Sequence, residues 1–223
     1  MRAPHRNQLV WLTEAAWLQV RARAWDAQAH SILAHWHTAQ LPWVVCRQRV
    51  PESPHSISLG LPAPLQWERR KLALDVVAED IERVDEFPLL KPGLLGPADA
   101  APLQNFLHHL AVLHAPTRVY GSYGWQQLTG LPCVRDGSDL DLLIAVPDMG
   151  TAGQVVWLLR GLQLACAVDG ELLFPDGQAV AWREYAQLIG GKVEQVLVKH
   201  RNGVHLAGMA HLQGLQASEA LPC

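Results

Sequence analysis

The sequence is poor in charge and in cysteine, and it contains no long apolar run. Charged residues make up 17% of the 223 positions and hydrophobic residues 49%, a balance that excludes a disordered chain and supplies a buried core. The net charge of −3 gives no bulk electrostatic attraction for nucleic acid, so any phosphate contact must come from a local cluster of basic groups. The four cysteines, Cys46, Cys133, Cys166 and Cys223, form no CxxC pair and read as reduced packing residues of a cytoplasmic protein. No stretch approaches the roughly 20 apolar residues of a membrane helix. Pro4, His5, Arg6, Asn7 and Gln8 precede only a short apolar stretch, which does not make a signal peptide. The expectation is a soluble protein with neither nucleic acid nor membrane as partner. Internal repeats and low-complexity segments are also absent.

Along the chain, apolar and alanine positions in residues 14–36 recur at helical spacing and predict one long amphipathic helix. Pro42 opens a short β-rich run, Trp43 to Cys46, with Arg47 and Arg49 alternating behind it, before Pro51 and Pro54 break the chain. Residues 57–61 read as a weak strand, and residues 67–84 as a second helix with Leu72, Val76, Ile81 and Val84 on one face. Residues 87–102 are rich in proline and glycine, a composition shift that places a boundary between an N-terminal domain, 1–90, and the rest, 91–223. An apolar helix over 103–114 follows. Short strands are then expected at 118–120, 139–146, 164–174 and 178–182, with a helix over 152–162.

The block that carries chemistry is Tyr120-Gly121-Ser122-Tyr123-Gly124-Trp125, followed after a loop by Ser138-Asp139-Leu140-Asp141-Leu142-Leu143-Ile144. A strand that ends in Gly-Ser and runs into a helix leaves backbone N–H groups and a hydroxyl free to hold a phosphate. Glycine permits the close backbone approach that a side chain blocks. Asp139 and Asp141, two apart on a strand, project from one face. Side by side they repel unless a cation sits between them, and hard oxygen ligands suit Mg²⁺ shared with substrate phosphates. A third acid from a neighbouring strand is expected from Val168-Asp169-Gly170-Glu171-Leu172, with Asp169 the first choice as metal ligand or general base and Glu171 close behind. An isolated Asp-x-Asp has no specificity. The specificity lies in the order: strand, Gly-Ser, helix, loop, Asp-x-Asp opening an apolar strand, then a third acid.

These residues carry a resemblance. Gly-Ser followed by Asp-x-Asp resembles the nucleotidyltransferase superfamily signature. The longer string from Gly121 to Pro132, running on to Ser138-Asp-Leu-Asp-Leu-Leu, is similar to the malonate decarboxylase holo-acyl-carrier-protein synthases, or phosphoribosyl-dephospho-CoA transferases. So are Val168-Asp-Gly-Glu-Leu-Leu-Phe-Pro-Asp-Gly and Ala181-Trp-Arg-Glu. The likeness is strongest from residue 119 to 184. It implies an α+β protein, with a nucleotidyltransferase-like mixed sheet and flanking helices preceded by a small α/β N-terminal domain. It also implies transfer of a phosphoribosyl-dephospho-CoA group from triphosphoribosyl-dephospho-CoA to a serine of the apo acyl carrier subunit, with pyrophosphate leaving. Gly121 and Ser122 would hold the leaving phosphates, Asp139 and Asp141 the metal, and Asp169 the metal or the proton. The alternatives are a nucleotidyltransferase with an ordinary nucleoside triphosphate donor, or a silent nucleotide- or protein-binding module.

Other residues admit a plainer reading. Arg69-Arg70-Lys71 could grip phosphate, but the first turn of a solvated helix is the simpler role. Arg135, just before Asp139, could reach the triphosphate or lie on a surface loop. Lys199 ends the apolar run Val196-Leu197-Val198, and Lys199-His200-Arg201 precedes the turn signal Asn202-Gly203. This is a strand-end charge cluster or a phosphate contact. His35 and His37, and His108, His109 and His114, lack the spacing of a ligand set. Trp125 packs either in the core or against a nucleotide.

Overall fold

The computed structural model describes residues 4–48, 56–201 and 203–214. Arg49, Pro51, Pro54, Asn202 and Cys223 lie outside the described residues. The chain divides into two compact units, one of Met1–Phe87 with Ser122–Arg135, the other of Pro88–Gly121 with Asp136–Cys223.

The first unit contains strand β1 (Leu9–Leu12), helices α1 (Glu14–Ala22) and α2 (Ala27–Thr38), and strands β2 (Trp43–Val45), β3 (Ile57–Pro62), β4 (Lys71–Val76) and β5 (Ile81–Asp85). All the pairings are antiparallel and the strand order is β4-β3-β2-β1-β5. The single helix expected over 14–36 is two helices. Arg23 leaves helical geometry, and the Asp26 carboxylate accepts the Ala29 N–H at 2.9 Å to start the second helix. A local cap of this kind competes with helical continuation. The expected helix over 67–84 is corrected to the two strands β4 and β5. Leu72, Leu74 and Val76 are buried while Lys71, Ala73 and Asp75 are exposed, a period of two. Leu72 and Val76 are four apart, a spacing that fits a strand face as well as a helix face. Arg70 is therefore not in a helical first turn. It forms a two-pronged pair with Asp26, at 2.6 and 2.5 Å.

The second unit contains α3 (Pro97–Val112), β6 (Thr117–Val119), the first residue of α4 (Gly121–Thr129), β7 (Leu140–Ala145), α5 (Met149–Gly161), β8 (Val168–Leu173), β9 (Ala179–Ala181), α6 (Trp182–Ile189), β10 (Val196–His200), β11 (Gly203–Ala207) and α7 (Met209–Gly214). Helix α3 begins six residues before the expected 103, because Pro97 occupies an opening position, where a missing N–H costs nothing. The sheet order is β11-β10-β9-β8-β7-β6. β7 and β8 are parallel and are connected through α5, and every other neighbour pair is antiparallel. The architecture is thus α+β, with a mixed sheet in the second unit.

From Ser122 onward, α4 belongs to the first unit, where Trp125 is 5% exposed and packs 6.0 Å from Trp36 and edge-on, 5.6 Å, from Phe87. Of its two readings, core packing is the correct one. Among the described residues no helix is long and apolar enough to cross a membrane.

Candidate active site

The candidate site begins where β6 turns into α4. The Tyr120 N–H donates to the Asp141 carbonyl at 3.0 Å, so the turn is tied to β7. Gly121 has φ +59°, and a Cβ there would lie 1.8 Å from Asp141 Oδ2. Two demands coincide at this position: a left-handed backbone and a carboxylate resting directly on the Cα. The requirement for glycine is therefore set by the placement of Asp141.

The parallel register of β7 and β8 sets Asp141 beside Asp169 and Leu143 beside Glu171. Because alternate residues share a face, Asp141, Asp169 and Glu171 project from the same side of the sheet. Asp139 is the residue just before β7. The pairing is close at one point: Gly170 has φ +145°, and a Cβ there would lie 2.0 Å from the Leu142 carbonyl oxygen. Asp139 and Asp169 are exposed, Asp141 is half-buried and Glu171 is 5% exposed. Burial pushes the Asp141 carboxyl up to about 6, with further contributions from the neighbouring charges of Asp169, Asp139 and Glu171. This donor set carries more negative charge than it neutralises, and a divalent cation would relieve the excess.

Among the described residues no three His, Cys, Asp or Glu side chains form a group able to hold a metal by themselves. Mg²⁺ is commonly bound through one or two carboxylates completed by substrate phosphates and water, and Asp139 and Asp141 fit that partial role.

Three residues of α6 and its border support this face. The Trp182 indole N–H and the Arg183 guanidinium both donate to the Val168 carbonyl, at 3.3 and 2.9 Å, which holds the start of β8 immediately before Asp169. Glu184 accepts the Leu197 N–H at 2.8 Å and so anchors β10. Two residues further along β10, the Lys199 ammonium lies 2.8 Å from Glu171 Oε1. The segment Ala181-Trp-Arg-Glu carries part of the family resemblance, but the supporting roles of Trp182, Arg183 and Glu184 depend on contacts between elements distant in sequence.

Gly121, Asp139, Asp141, Asp169, Glu171 and Lys199 all belong to the second unit, where Gly121 and Asp169 lie against Asp141 and Lys199 pairs with Glu171. Ser122 and Arg135 are the first and last residues of the segment that belongs to the first unit, and Arg135 is exposed.

Comparison with known proteins covers most of the chain. The family model of the phosphoribosyl-dephospho-CoA transferase MdcG C-terminal domain matches residues 92–210, and that of the MdcG N-terminal domain matches residues 5–87. A phosphoribosyl-dephospho-CoA transferase of Xanthomonas euvesicatoria pv. vesicatoria is 39% identical, over 93% of this chain and 95% of its own length. Another, of Xanthomonas campestris pv. campestris, is 37% identical, with 90% and 92% covered. A third, of Bradyrhizobium diazoefficiens, is 33% identical, with 89% and 87% covered. No solved structure matches the chain. With both domain models matched in order and relatives aligned over most of their length, the chain belongs to the phosphoribosyl-dephospho-CoA transferase family.

Proposed function

We propose that the protein transfers phosphoribosyl-dephospho-CoA from triphosphoribosyl-dephospho-CoA to a serine of the apo acyl carrier subunit of malonate decarboxylase, releasing pyrophosphate in a Mg²⁺-dependent reaction. The observation that carries this reading is the carboxylate face on β7 and β8, where Asp141 is wedged against Gly121 and set beside Asp169. Family membership supports the donor, and the domain name supports malonate decarboxylase as the setting.

In this reading the serine oxygen attacks the α-phosphorus and forms a new P–O bond. The bond from the α-phosphorus to the bridging oxygen breaks, and the diphosphate departs with that electron pair. Asp169, exposed and next to Asp141, accepts the hydroxyl proton. Mg²⁺ held by Asp139 and Asp141 would supply charge neutralisation at the donor phosphates. Gly121 and Ser122 open α4, where the free N–H groups of a first helical turn suit phosphate oxygens. The proposed setting is the cytoplasm, where cysteines stay reduced.

The test is intact-mass analysis of an apo acyl carrier subunit after incubation with the protein, Mg²⁺ and triphosphoribosyl-dephospho-CoA. A mass gain equal to the phosphoribosyl-dephospho-CoA group is expected, reduced at least ~100-fold in rate by Asp139→Ala, as befits loss of a metal ligand. A nucleotidyl adduct formed only with ATP or another triphosphate would replace the donor. No adduct with any donor would leave a binding module.

A further inference from the structure

Asp169 and Glu171 share a strand and a face, yet their surroundings differ. Asp169 is exposed and faces Asp141 in register, as a ligand or a base must. Glu171 is 5% exposed, and one of its oxygens is taken by the Lys199 ammonium at 2.8 Å. We propose that Glu171 is a positioning residue that holds Lys199 ready to bind the departing diphosphate, and is not the third acid of the carboxylate set. This rests on the phosphoryl-transfer reading of the same site.

The local sequence explains how the pair forms. Glu171 lies opposite Ala181 on β9, and Lys199 on β10 lies opposite Ala179. The two β9 side chains between them on this face are both alanine, so the lysine stem can cross the strand to reach the glutamate. The Glu184 bond to Leu197 fixes β10 just before the crossing. A buried carboxylate is retained only with a partner, which accounts for one of the three ammonium donors. The Lys199 side chain remains 28% exposed and has no second protein partner among the described residues.

A cation so placed has chemical use. Negative charge accumulates on the diphosphate as its bond to the α-phosphorus breaks, and a fixed ammonium stabilises that charge without reorganising. Asp139, Asp141 and Asp169 repel a diphosphate unless a metal intervenes, whereas Lys199 attracts it directly. The face then divides into a carboxylate end for the metal and the attacking hydroxyl, and a lysine for the leaving group.

The test is calorimetric titration of the full-length protein with inorganic pyrophosphate in the presence of Mg²⁺. Lys199→Met alone takes the ammonium from a buried carboxylate, so the informative variant is the double change Glu171→Leu with Lys199→Met, which removes both members of the pair together. Expected results are a loss of at least ~10-fold in pyrophosphate affinity for the double variant. Lys199→Arg should recover part of that loss, and Glu171→Gln should fall in between with the ammonium no longer fixed. In turnover, Glu171→Gln should lower kcat more than it raises KM for the donor. A folded double variant that binds pyrophosphate as tightly as wild type would overturn the proposal, even if group transfer to the carrier is confirmed. Conversely, failure of group transfer with every donor would defeat the function proposed above, while a loss of pyrophosphate affinity in the double variant would still support Lys199 as the diphosphate ligand.

Discussion

Asp141 is the residue on which the site's electrostatics converge. Its carboxyl is displaced from 3.8 to about 6, chiefly by burial and secondarily by Asp169, Asp139 and Glu171. A raised acid in the folded state binds its proton more tightly there than in the unfolded chain, so its contribution to stability declines as pH rises from about 4 through about 6. The displacement corresponds to about 3 kcal/mol in an unscreened site, and screening of a carboxylate that still meets water reduces this to about 1 kcal/mol. In metal-free buffer at pH 8, Asp141→Asn should therefore melt a few degrees above wild type, with the gap closing at pH 4. Melting curves at the two pH values check this; a variant less stable than wild type at pH 8 would contradict it. That Asp141 and Asp169 stand on neighbouring strands was legible in the sequence, from the order of an Asp-x-Asp heading one apolar strand and an acid on the next. The different fates of Asp169 and Glu171 were not, since alternation puts both on one face and only β9 and β10 decide which of them is buried and paired.

Among the elements, the strands expected at 118–120, 139–146, 164–174 and 178–182 and the helix between the second and third were legible in place, because short apolar runs bounded by turn residues leave little choice. Their ends were not: β7 starts after Asp139, β8 starts only at Val168, and Trp182 opens α6. The N-terminal reading failed where periods coincide: Leu72 and Val76, four apart, satisfy a strand as well as a helix, and exposed Ala73 and Asp75 were the discriminating residues. Ile81 and Val84, three apart, both fit β5 through a register shift opposite Trp11 and Leu12. The pairing of β7 with β8 has a further condition that no periodicity shows. Gly170 brings its backbone against the Leu142 carbonyl, and the obstructing atom is main chain that cannot swing away. Gly170→Ala should cost about 3 kcal/mol or more, as a strained and clashing backbone position does. The measurement is denaturant unfolding. A loss below 1 kcal/mol would mean that β7 and β8 can separate locally.

At the scale of the whole molecule, the two family models meet near residue 90, at residues 87 and 92, while the chain returns to the first unit at Ser122–Arg135. A fragment of residues 1–90 keeps all five strands of the first sheet but lacks Trp125, which packs against Trp36 and Phe87. Loss of a buried tryptophan costs about 3–5 kcal/mol, a large part of what a domain of this size possesses. The fragment should bind a hydrophobic dye and show broad unfolding, and a peptide of residues 121–135 added in trans should sharpen the transition. A fragment that unfolds sharply alone would show α4 to be dispensable. The segment that leaves Gly121 beside Asp141 and ends in the first unit has a genealogical meaning as well. A recombination event at residue 90 would hand a descendant an N-terminal half without its own tryptophan plug, and a C-terminal half carrying a plug cut for another partner. Because Ser122–Arg135 belongs to the first unit, an exchange at residue 90 would cut that unit in two.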